Sequence, residues 1–287
     1  MRRLRHTVNP MLERAFRAVE KPDLSRAGQL ATIPYYRDRL GGGGLGTNTY
    51  AEWCYTIGLF QGILCDALPG EKPIRMLDVG CGTGRLLLAA KANLTDEDRY
   101  VGLDVNKTSI DICKRHYKEP NVSFVHYEAP NAFYSDVDSE QLMHWPFDDG
   151  SFDLVSALSV WTHLAETDWL HYLGEVSRVL RPGGRAMISF FILDEDYTNA
   201  LPHKDATISP YYPQPKNKWI FDTPAYDSTE WVCPSWARVP ETAIGVPYRR
   251  FTNEVMQRGL TIQRYWSGSW KDQPSVFFQD IVVFEKA

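Results

Sequence analysis

The residues best suited to chemistry are concentrated between Asp78 and Gly84, in the order Asp-Val-Gly-Cys-Gly-Thr-Gly. A short apolar run precedes this stretch and an apolar helical pattern follows it, an order typical of a strand, a tight turn and a helix. Gly80 and Gly82 allow a sharp turn and let a ligand approach the main chain, and Gly84 lets the next helix pack close to the strand. The spacing therefore predicts a binding loop for a nucleotide-like ligand.

The same spacing discriminates between ligands. A dinucleotide-binding loop has the pattern G-x-G-x-x-G, in which the third glycine brings a helix N-terminus towards a pyrophosphate. Here the third glycine comes one residue earlier, and Arg85 stands where a dinucleotide loop has glycine. The pattern G-x-G-x-G favours an adenosyl ligand without phosphate, while a nicotinamide-dependent oxidoreductase stays open as an alternative.

The loop resembles the first motif of the class I S-adenosylmethionine (SAM)-dependent methyltransferases, and the resemblance covers at least residues 74–192. It implies an α/β, Rossmann-like fold with a seven-stranded, mostly parallel sheet whose last strand is antiparallel. It also implies SAM as the cofactor, with the loop along its methionine and ribose and with Asp78 near its amino group. The cofactor-binding residues implied in the loop are Asp78, Gly80, Cys81, Gly82, Thr83 and Gly84.

Acidic residues follow the next two predicted strands. Asp104 ends Tyr-Val-Gly-Leu-Asp, where a carboxylate can accept hydrogen bonds from both ribose hydroxyls. The alternative is that Asp104 caps the next helix, where residues Asn106 to Ser109 also offer caps. After the third strand, the resemblance assigns Glu128 and Ala129 to the adenine, with a solvated loop carboxylate as the alternative for Glu128. The predicted SAM-binding residues are completed by Val105, Asn106 and Ser159.

His163 is the candidate catalytic residue. It follows the predicted fourth strand in Ser-Val-Trp-Thr-His, on the rim where ligands bind in open α/β sheets. Histidine accepts a proton near neutral pH, so His163 is suited to deprotonating a hydroxyl, although a structural role at the start of the next helix is the alternative. The residues assigned to the acceptor are Trp161, Tyr197 and Trp231, of which Trp161 alternatively fills the core.

Metal assistance is a rival route to acceptor activation. Asp194, Glu195 and Asp196 follow the fifth strand, where carboxylates could hold a divalent ion. Three adjacent acids cannot all face one site, and acidic loop runs are usually solvated. Five scattered cysteines without a C-x-x-C pair suggest neither a zinc site nor a disulfide framework. No metal site is therefore predicted.

Four segments must position these residues. Residues 1–70 form a helical lid, in which glycines 41–44 act as a hinge or, alternatively, as a flexible linker. Residues 71–193 form the SAM-binding core. Residues 194–248, rich in proline and aromatic side chains, form an acceptor-binding cap of irregular structure. Residues 249–287 complete the core with a helix and a strand hairpin.

One predicted helix of the core lies between the fourth and fifth strands. Apolar residues at 170, 173, 176 and 180 have the spacing of a buried stripe. Pro182 and Gly183 follow this pattern, and the sequence predicts that the helix ends there, before the fifth strand.

The composition and net charge restrict the classes of partner expected for the chain. The chain has 287 residues and a net charge of −5, so it lacks the positive surplus of a protein that binds nucleic-acid phosphates. No apolar run approaches the roughly 18 residues of a membrane helix, and the basic start lacks the apolar segment of a signal peptide. We therefore expect a cytoplasmic enzyme with a small-molecule acceptor and without nucleic-acid or membrane partners, with a homodimer among the assemblies open to it.

The expected reaction is methyl transfer from SAM to a small molecule, at a hydroxyl oxygen. The layout through Phe-Gln-Asp-Ile-Val-Val at 278–283 resembles, more loosely, bacterial small-molecule methyltransferases linked to sugar or natural-product tailoring. Besides the oxidoreductase, a SAM-binding protein without catalysis is the remaining alternative.

Overall fold

The computed structural model describes residues 32–34, 38–39, 50–70, 73–128 and 142–287. The predicted hinge at 41–44 and the assignment of Ala129 to the adenine lie outside these ranges. Both stay predictions.

The secondary structure alternates strands and helices through the core and becomes irregular afterwards. The strands are β1 (Arg75–Val79), β2 (Arg99–Asp104), β3 (Val122–His126), β4 (Phe152–Ala157), β5 (Leu180–Phe190), β6 (Ile192–Leu193), β7 (Thr223–Pro224), β8 (Val232–Cys233), β9 (Val246–Pro247), β10 (Leu260–Trp266) and β11 (Asp280–Lys286). The α-helices are α1 (Tyr50–Ala67), α2 (Arg85–Ala90), α3 (Lys107–His116), α4 (Glu166–Val179), α5 (Glu195–Ala200) and α6 (Tyr248–Gln257).

Seven strands form one sheet in the order β10-β11-β5-β4-β1-β2-β3. β4 runs parallel to β1 and to β5, and β2 runs parallel to β3. β11 is antiparallel to both of its neighbours, β5 and β10. The predicted Rossmann-like sheet, mostly parallel with an antiparallel last strand, is confirmed.

The described residues fall into two compact units, one within residues 1–74 and 81–127 and the other within 75–80 and 128–287. In the first unit, α1 buries one face through residues three or four apart, including Trp53, Ile57 and Leu64. The guanidinium of Arg85 lies over the ring of Trp53, with Cζ 5.0 Å from the ring centroid.

The second unit contains β1, β4, β5 and the C-terminal hairpin. β4 is buried along its whole length, as expected for a strand with neighbours on both sides. Asp153 accepts a hydrogen bond from the Arg75 amide at 2.7 Å and pairs with Arg181. This carboxylate therefore joins the starts of β1, β4 and β5.

The helix before β5 ends earlier than predicted. α4 ends at Val179, and Leu180 already has an extended conformation and pairs with Phe152 of β4. Pro182 lies inside β5, after the end of the helix. A proline favours extended geometry in the residue that precedes it, so the helix must end before Arg181. The predicted stripe is correct at 173 and 176, which are buried in the helix; residue 170 is half-buried, and Leu180, although buried, lies in β5 and not in the helix.

Residues 194–248 contain short strands, turns, three short 3₁₀ helices and the six-residue helix α5, which agrees with the irregular structure expected of them. β6 pairs with β9 and β7 with β8, each over two residues. Their aromatic side chains form a core with the residue that follows β5 and with one from the connection between β10 and β11: Phe191, Tyr197, Tyr212, Trp219, Phe221, Ala243 and Trp270. Much of the aromatic content is therefore used for packing.

No helix among the described residues is sufficiently long and apolar to cross a bilayer.

Candidate functional site

The glycine loop presents one open main-chain surface in the first unit. Gly82 has a positive φ of 53°, and a Cβ added there would meet no atom of the described residues within 4 Å. Its amide donates to Asp104 Oδ2 at 2.7 Å. Here a ligand can approach the backbone beside a carboxylate, as a SAM-binding loop requires.

The other two glycines of the loop are required by protein contacts. A Cβ at Gly80 would lie 2.4 Å from Cγ2 of Val160, and a Cβ at Gly84 would lie 2.4 Å from the ring of Tyr117. The close contact of Gly84 is thus with Tyr117, the residue that follows α3, whereas its place in the sequence predicts close packing of the next helix on the strand. Gly82 alone has open space in front of it.

Thr83 and Cys81 complete the loop differently. Thr83 is buried, and its Oγ1 has no hydrogen-bond partner among the described residues. An orphaned buried hydroxyl beside an open glycine fits a site that binds a polar ligand. Cys81 is buried against β2, where a Cβ at Gly102 would lie 2.9 Å from its sulfur, so it serves as a small packing residue.

Asp104 is held by two main-chain amides. Oδ2 accepts from Gly82, and Oδ1 accepts from Asn106 at 2.7 Å. Burial raises the pKa of this carboxyl, and the two hydrogen bonds oppose the rise only in part. The cap of α3 is Asn106, whose Oδ1 accepts from the Ser109 amide at 3.0 Å. The capping role considered for Asp104 is therefore filled by Asn106.

The remaining SAM-assigned residues lie in different surroundings. The carbonyl of Val105 accepts from His126 Nε2 at 3.1 Å, and Glu128 is exposed. In the second unit, Asp78 is 2% exposed and its Oδ1 accepts from Ser156 Oγ at 3.2 Å. These assignments stay predictions.

His163 lies in a short 3₁₀ turn (Trp161–His163) after β4 in the second unit. Its Nδ1 is 2.7 Å from the carbonyl oxygen of Glu241, which can only accept, so the ring proton sits on Nδ1 and the lone pair on Nε2. Nε2 is 3.5 Å from Ser159 Oγ. Burial lowers the pKa of the imidazole below its usual 6.5, and the bond to Glu241 opposes this only in part. Burial therefore favours the neutral form of the His163 ring; its role as a base stays a prediction.

Ser159 is exposed and adopts a left-handed conformation with φ of 60°, which is uncommon for a non-glycine residue. Its amide donates to Ser189 Oγ at 2.7 Å, and its hydroxyl accepts from Gln279 Nε2 at 3.0 Å. Strained conformations of this kind cluster at functional sites. Ser159 and His163, predicted separately, are brought together here.

The three residues assigned to the acceptor are buried. Trp161 is 1% exposed and donates from Nε1 to the Trp169 carbonyl at 3.3 Å, and Trp231 is 0% exposed with its ring edge-on to Trp169. Tyr197 is 5% exposed, and its hydroxyl accepts from the Phe221 amide at 2.9 Å. These contacts agree with the core role that was the alternative for Trp161, and an acceptor role for the three stays a prediction.

The acidic run after β5 is compensated by a lysine. Asp194 caps α5 and pairs with Lys271 Nζ at 2.7 Å, and Asp196 accepts from Ser267 and Gln273. Within the part of the chain that the structure describes, no three His, Cys, Asp or Glu side chains gather as a metal-binding group.

Sequence reasoning missed Ser189, Gln279 and Glu241. Ser189 is a lone hydroxyl inside the otherwise apolar end of β5, and Gln279 is a polar residue next to an apolar run. Those interruptions of the apolar pattern were the available signal. Glu241 contacts His163 through its main-chain carbonyl, so its residue type could not indicate the contact.

Comparison with known proteins agrees with this geometry. Residues 77–188 match the family model described as a methyltransferase domain. The chain is 26% identical over 237 residues to the 27-O-demethylrifamycin SV methyltransferase of Amycolatopsis mediterranei, covering 74% of this chain and 79% of that protein. It is 30% identical to the sterol 24-C-methyltransferase erg6 of Schizosaccharomyces pombe, covering 46% of this chain and 32% of that protein. It is 36% identical to a phthiotriol/phenolphthiotriol dimycocerosates methyltransferase of Mycobacterium tuberculosis, covering 38% and 35%.

The chain thus spans most of the first relative and about a third of the length of the other two. Among solved structures, a protein of Pyrococcus horikoshii is similar with a TM-score of 0.53 at 18% identity, covering 89% of this chain and 100% of that one. A SAM-dependent methyltransferase of Mesorhizobium loti has a TM-score of 0.50 at 16% identity, covering 78% and 96%. The matched domain carries the glycine loop and Asp104 on this sheet, so residues 77–188 are similar to a methyltransferase domain and the chain has the Rossmann-like fold of class I SAM-dependent methyltransferases.

Proposed function

We propose that the chain transfers the methyl group of SAM to a hydroxyl oxygen of a small-molecule acceptor, with His163 as general base. The observation that carries the proposal is the 2.7 Å contact between His163 Nδ1 and the carbonyl oxygen of Glu241, which assigns the tautomer of the ring. Its Nδ1 proton is given to the Glu241 carbonyl, so the lone pair of Nε2 lies on the side of the exposed Ser159. A neutral imidazole whose pKa lies below 6.5 is ready to accept a proton at pH 7.

The residues that would hold SAM begin with Gly82, Thr83 and Asp104. Gly82 offers an open backbone surface, Thr83 a buried hydroxyl without a partner among the described residues, and Asp104 a carboxylate for the ribose hydroxyls. When bound, SAM supplies an electrophilic methyl group. The remaining cofactor contacts are proposed for Asp78, Gly80, Cys81, Gly84, Val105, Asn106, Glu128, Ala129 and Ser159.

The work left to the protein is to orient the acceptor, exclude water and take its proton. The proton of the acceptor hydroxyl passes to His163 Nε2 as the oxygen becomes methylated. The resulting imidazolium keeps its hydrogen bond to the Glu241 carbonyl, which favours the charged form and so stabilises it.

The name of one relative gives an oxygen and that of another a carbon as the methylated atom. The relatives therefore support a small-molecule acceptor without selecting the atom. A hydroxyl is favoured because it must lose a proton, and His163 is arranged to take one.

The test is His163→Gln, with His203→Gln, at an exposed residue of the cap, as the matched control. Loss of the base should lower turnover by roughly 10²- to 10⁴-fold and leave SAM binding nearly intact. Formation of S-adenosylhomocysteine would be followed with a library of hydroxyl-bearing small molecules, and SAM binding by calorimetry. A folded variant that binds SAM and turns over at the wild-type rate would assign His163 a structural role.

A second experiment tests the cofactor residues through Asp104→Ala, with the exposed Asp111→Ala on α3 as control. Loss of charge-assisted hydrogen bonds should weaken SAM binding by about 2 to 3 kcal/mol. Calorimetry measures the affinity, and circular dichroism checks the fold because Asp104 also binds the Gly82 amide. Equal SAM affinity in the two variants would remove the ribose assignment.

A further inference from the structure

A buried amide lies behind the proposed base. Gln279 directly precedes β11 and is 8% exposed. Its Nε2 donates to Ser159 Oγ at 3.0 Å and to Thr162 Oγ1 at 3.3 Å, and its Oε1 accepts from Ser189 Oγ at 2.7 Å. One side chain therefore contacts the end of β5 and two residues of the segment that carries His163.

The hydrogen bonds around this amide run in one direction. Because His163 gives its Nδ1 proton to Glu241, Nε2 must accept. Because Ser159 Oγ accepts from Gln279, the only proton of the Ser159 hydroxyl is available to His163 Nε2. Ser189 Oγ accepts the Ser159 amide proton and gives its own proton to Gln279 Oε1. Each donor in this series meets an acceptor.

The arrangement also holds the backbone of Ser159 in place. A non-glycine residue persists in the left-handed region where its surroundings over-determine it. The Ser159 amide is bound by Ser189 and its hydroxyl by Gln279, and Ser189 and Gln279 bind each other. The three side chains form a closed ring of hydrogen bonds that fixes the turn.

We propose that Gln279 is a positioning residue of the methyl-transfer site, which directs the Ser159 hydroxyl towards His163 Nε2 and so fixes the imidazole for proton transfer. The inference rests on the proposed function, since it gives His163 the role of base. In the resting enzyme the Ser159 hydroxyl is the donor to Nε2. In the reactive complex the acceptor hydroxyl becomes that donor.

Glu241, whose main-chain carbonyl binds the imidazole of His163, also interacts through its side chain with further titratable groups. Its carboxylate accepts from Tyr226 OH at 2.6 Å, and burial followed by the charge of Glu241 raises the pKa of Asp168. A substitution at Gln279 leaves these groups unchanged. A change in the titration of His163 in such a variant therefore reports on the contacts of Gln279.

The experiment compares Gln279→Met, Gln279→Glu and the surface control Gln263→Glu on β10. Methionine has a similar length but donates no hydrogen bond, so turnover should fall roughly tenfold to a hundredfold through misplacement of the base, with a smaller change in KM. The pKa of His163, followed by NMR of its ring signals, should rise in the Met variant, because a hydrogen bond that favours the neutral ring is lost. It should rise further in Gln279→Glu, where an ionised carboxylate takes the Ser159 proton and favours the imidazolium.

The NMR titration separates failure of this inference from failure of the proposed function. An unchanged pKa of His163 in both folded Gln279 variants overturns the positioning role, whatever the turnover of His163→Gln. A shifted pKa with full activity in His163→Gln supports the contact but removes the base, and the positioning role falls with it. Shifts in both variants, a flat Gln263→Glu control and an inactive His163→Gln support the inference.

Discussion

Two polar networks meet at consecutive residues, Gln279 and Asp280, and they differ in charge. Gln279 joins the neutral series that ends at the exposed Ser159 and at His163. Asp280 is 0% exposed, and its Oδ1 lies 2.8 Å from Nζ of Lys271, whose side chain is also 0% exposed. The neutral network thus reaches the surface, whereas the charged pair at the centre of the other is closed off from solvent.

The charged network is satisfied from within. Asp280 accepts from the amides of Ile192 and Gly268, each at 2.7 Å, and Lys271 also pairs with Asp194 at 2.7 Å. Burial raises the pKa of Asp280, and the charge and hydrogen bonding of Lys271 oppose that rise. Because a buried carboxylate is costly unless paired, this network serves the fold. The neutral network contains no buried charge, so its last residue, Ser159, can be exposed to solvent without leaving an ion unpaired.

The largest expected effect is on stability, from Lys271→Met. Removal of the ammonium leaves two carboxylates without their partner, which should lower the free energy of unfolding by about 3 to 5 kcal/mol. Urea denaturation measures the loss. Lys107→Met, which breaks a solvent-screened ion pair with Asp111 on α3, is the control and should leave the free energy of unfolding close to that of wild type. Similar losses in the two variants would show that the amide donors alone satisfy Asp280.

Disruption of the neutral network should cost less stability. Ser189→Ala removes the acceptor of the Ser159 amide and the donor to Gln279, which should lower the free energy of unfolding by about 1 to 2 kcal/mol. The exposed Ser123→Ala on β3 should stay within about 0.5 kcal/mol of wild type. Activity should reverse this order: at a temperature where both proteins are folded, Ser189→Ala loses turnover and Lys271→Met keeps it. Loss of turnover in both variants would show that activity depends on the charged network as well as on the neutral one.

The smallest effects concern pH, and their signs are opposite. The pKa of folded His163 lies below 6.5, so the unfolded chain binds the proton first and the contribution of His163 to stability falls as pH decreases through 6.5. The pKa of folded Asp280 lies above 3.8, so the folded chain binds the proton first and its contribution rises as pH decreases. Each slope is at most about 1.4 kcal/mol per pH unit.

These slopes are measured as differences in unfolding free energy between wild type and His163→Gln or Asp280→Asn, across roughly pH 3 to 8 in steps of about half a unit. A His163 difference that does not change with pH would mean that the ring titrates equally in the folded and unfolded chain. If the contributions of His163 and Asp280 to stability changed with pH in the same direction, the predicted contrast between the two networks would be wrong.

The sequence predicted the fold well because each signal is local. Sequence patterns a few residues long indicate the glycine loop, the strands and helices up to β5, and helix α1. The place of Asp104 at the end of β2 follows from the same kind of local pattern, and its contact with the ribose stays a prediction. Asn106 was also visible as a cap, and the structure separated the roles of the two.

The tertiary structure decided which polar residues meet. Gln279 is 120 residues from Ser159, and Glu241 is 78 residues from His163. Asp194, which had metal binding as one alternative, pairs with a lysine 77 residues away. No local period encodes such contacts, because they depend on β11 entering the sheet beside β5. The sequence alone therefore determined the methyltransferase scaffold and its binding loop, whereas the proton position on His163 and the neutralisation of the buried carboxylates were fixed only when distant strands packed together.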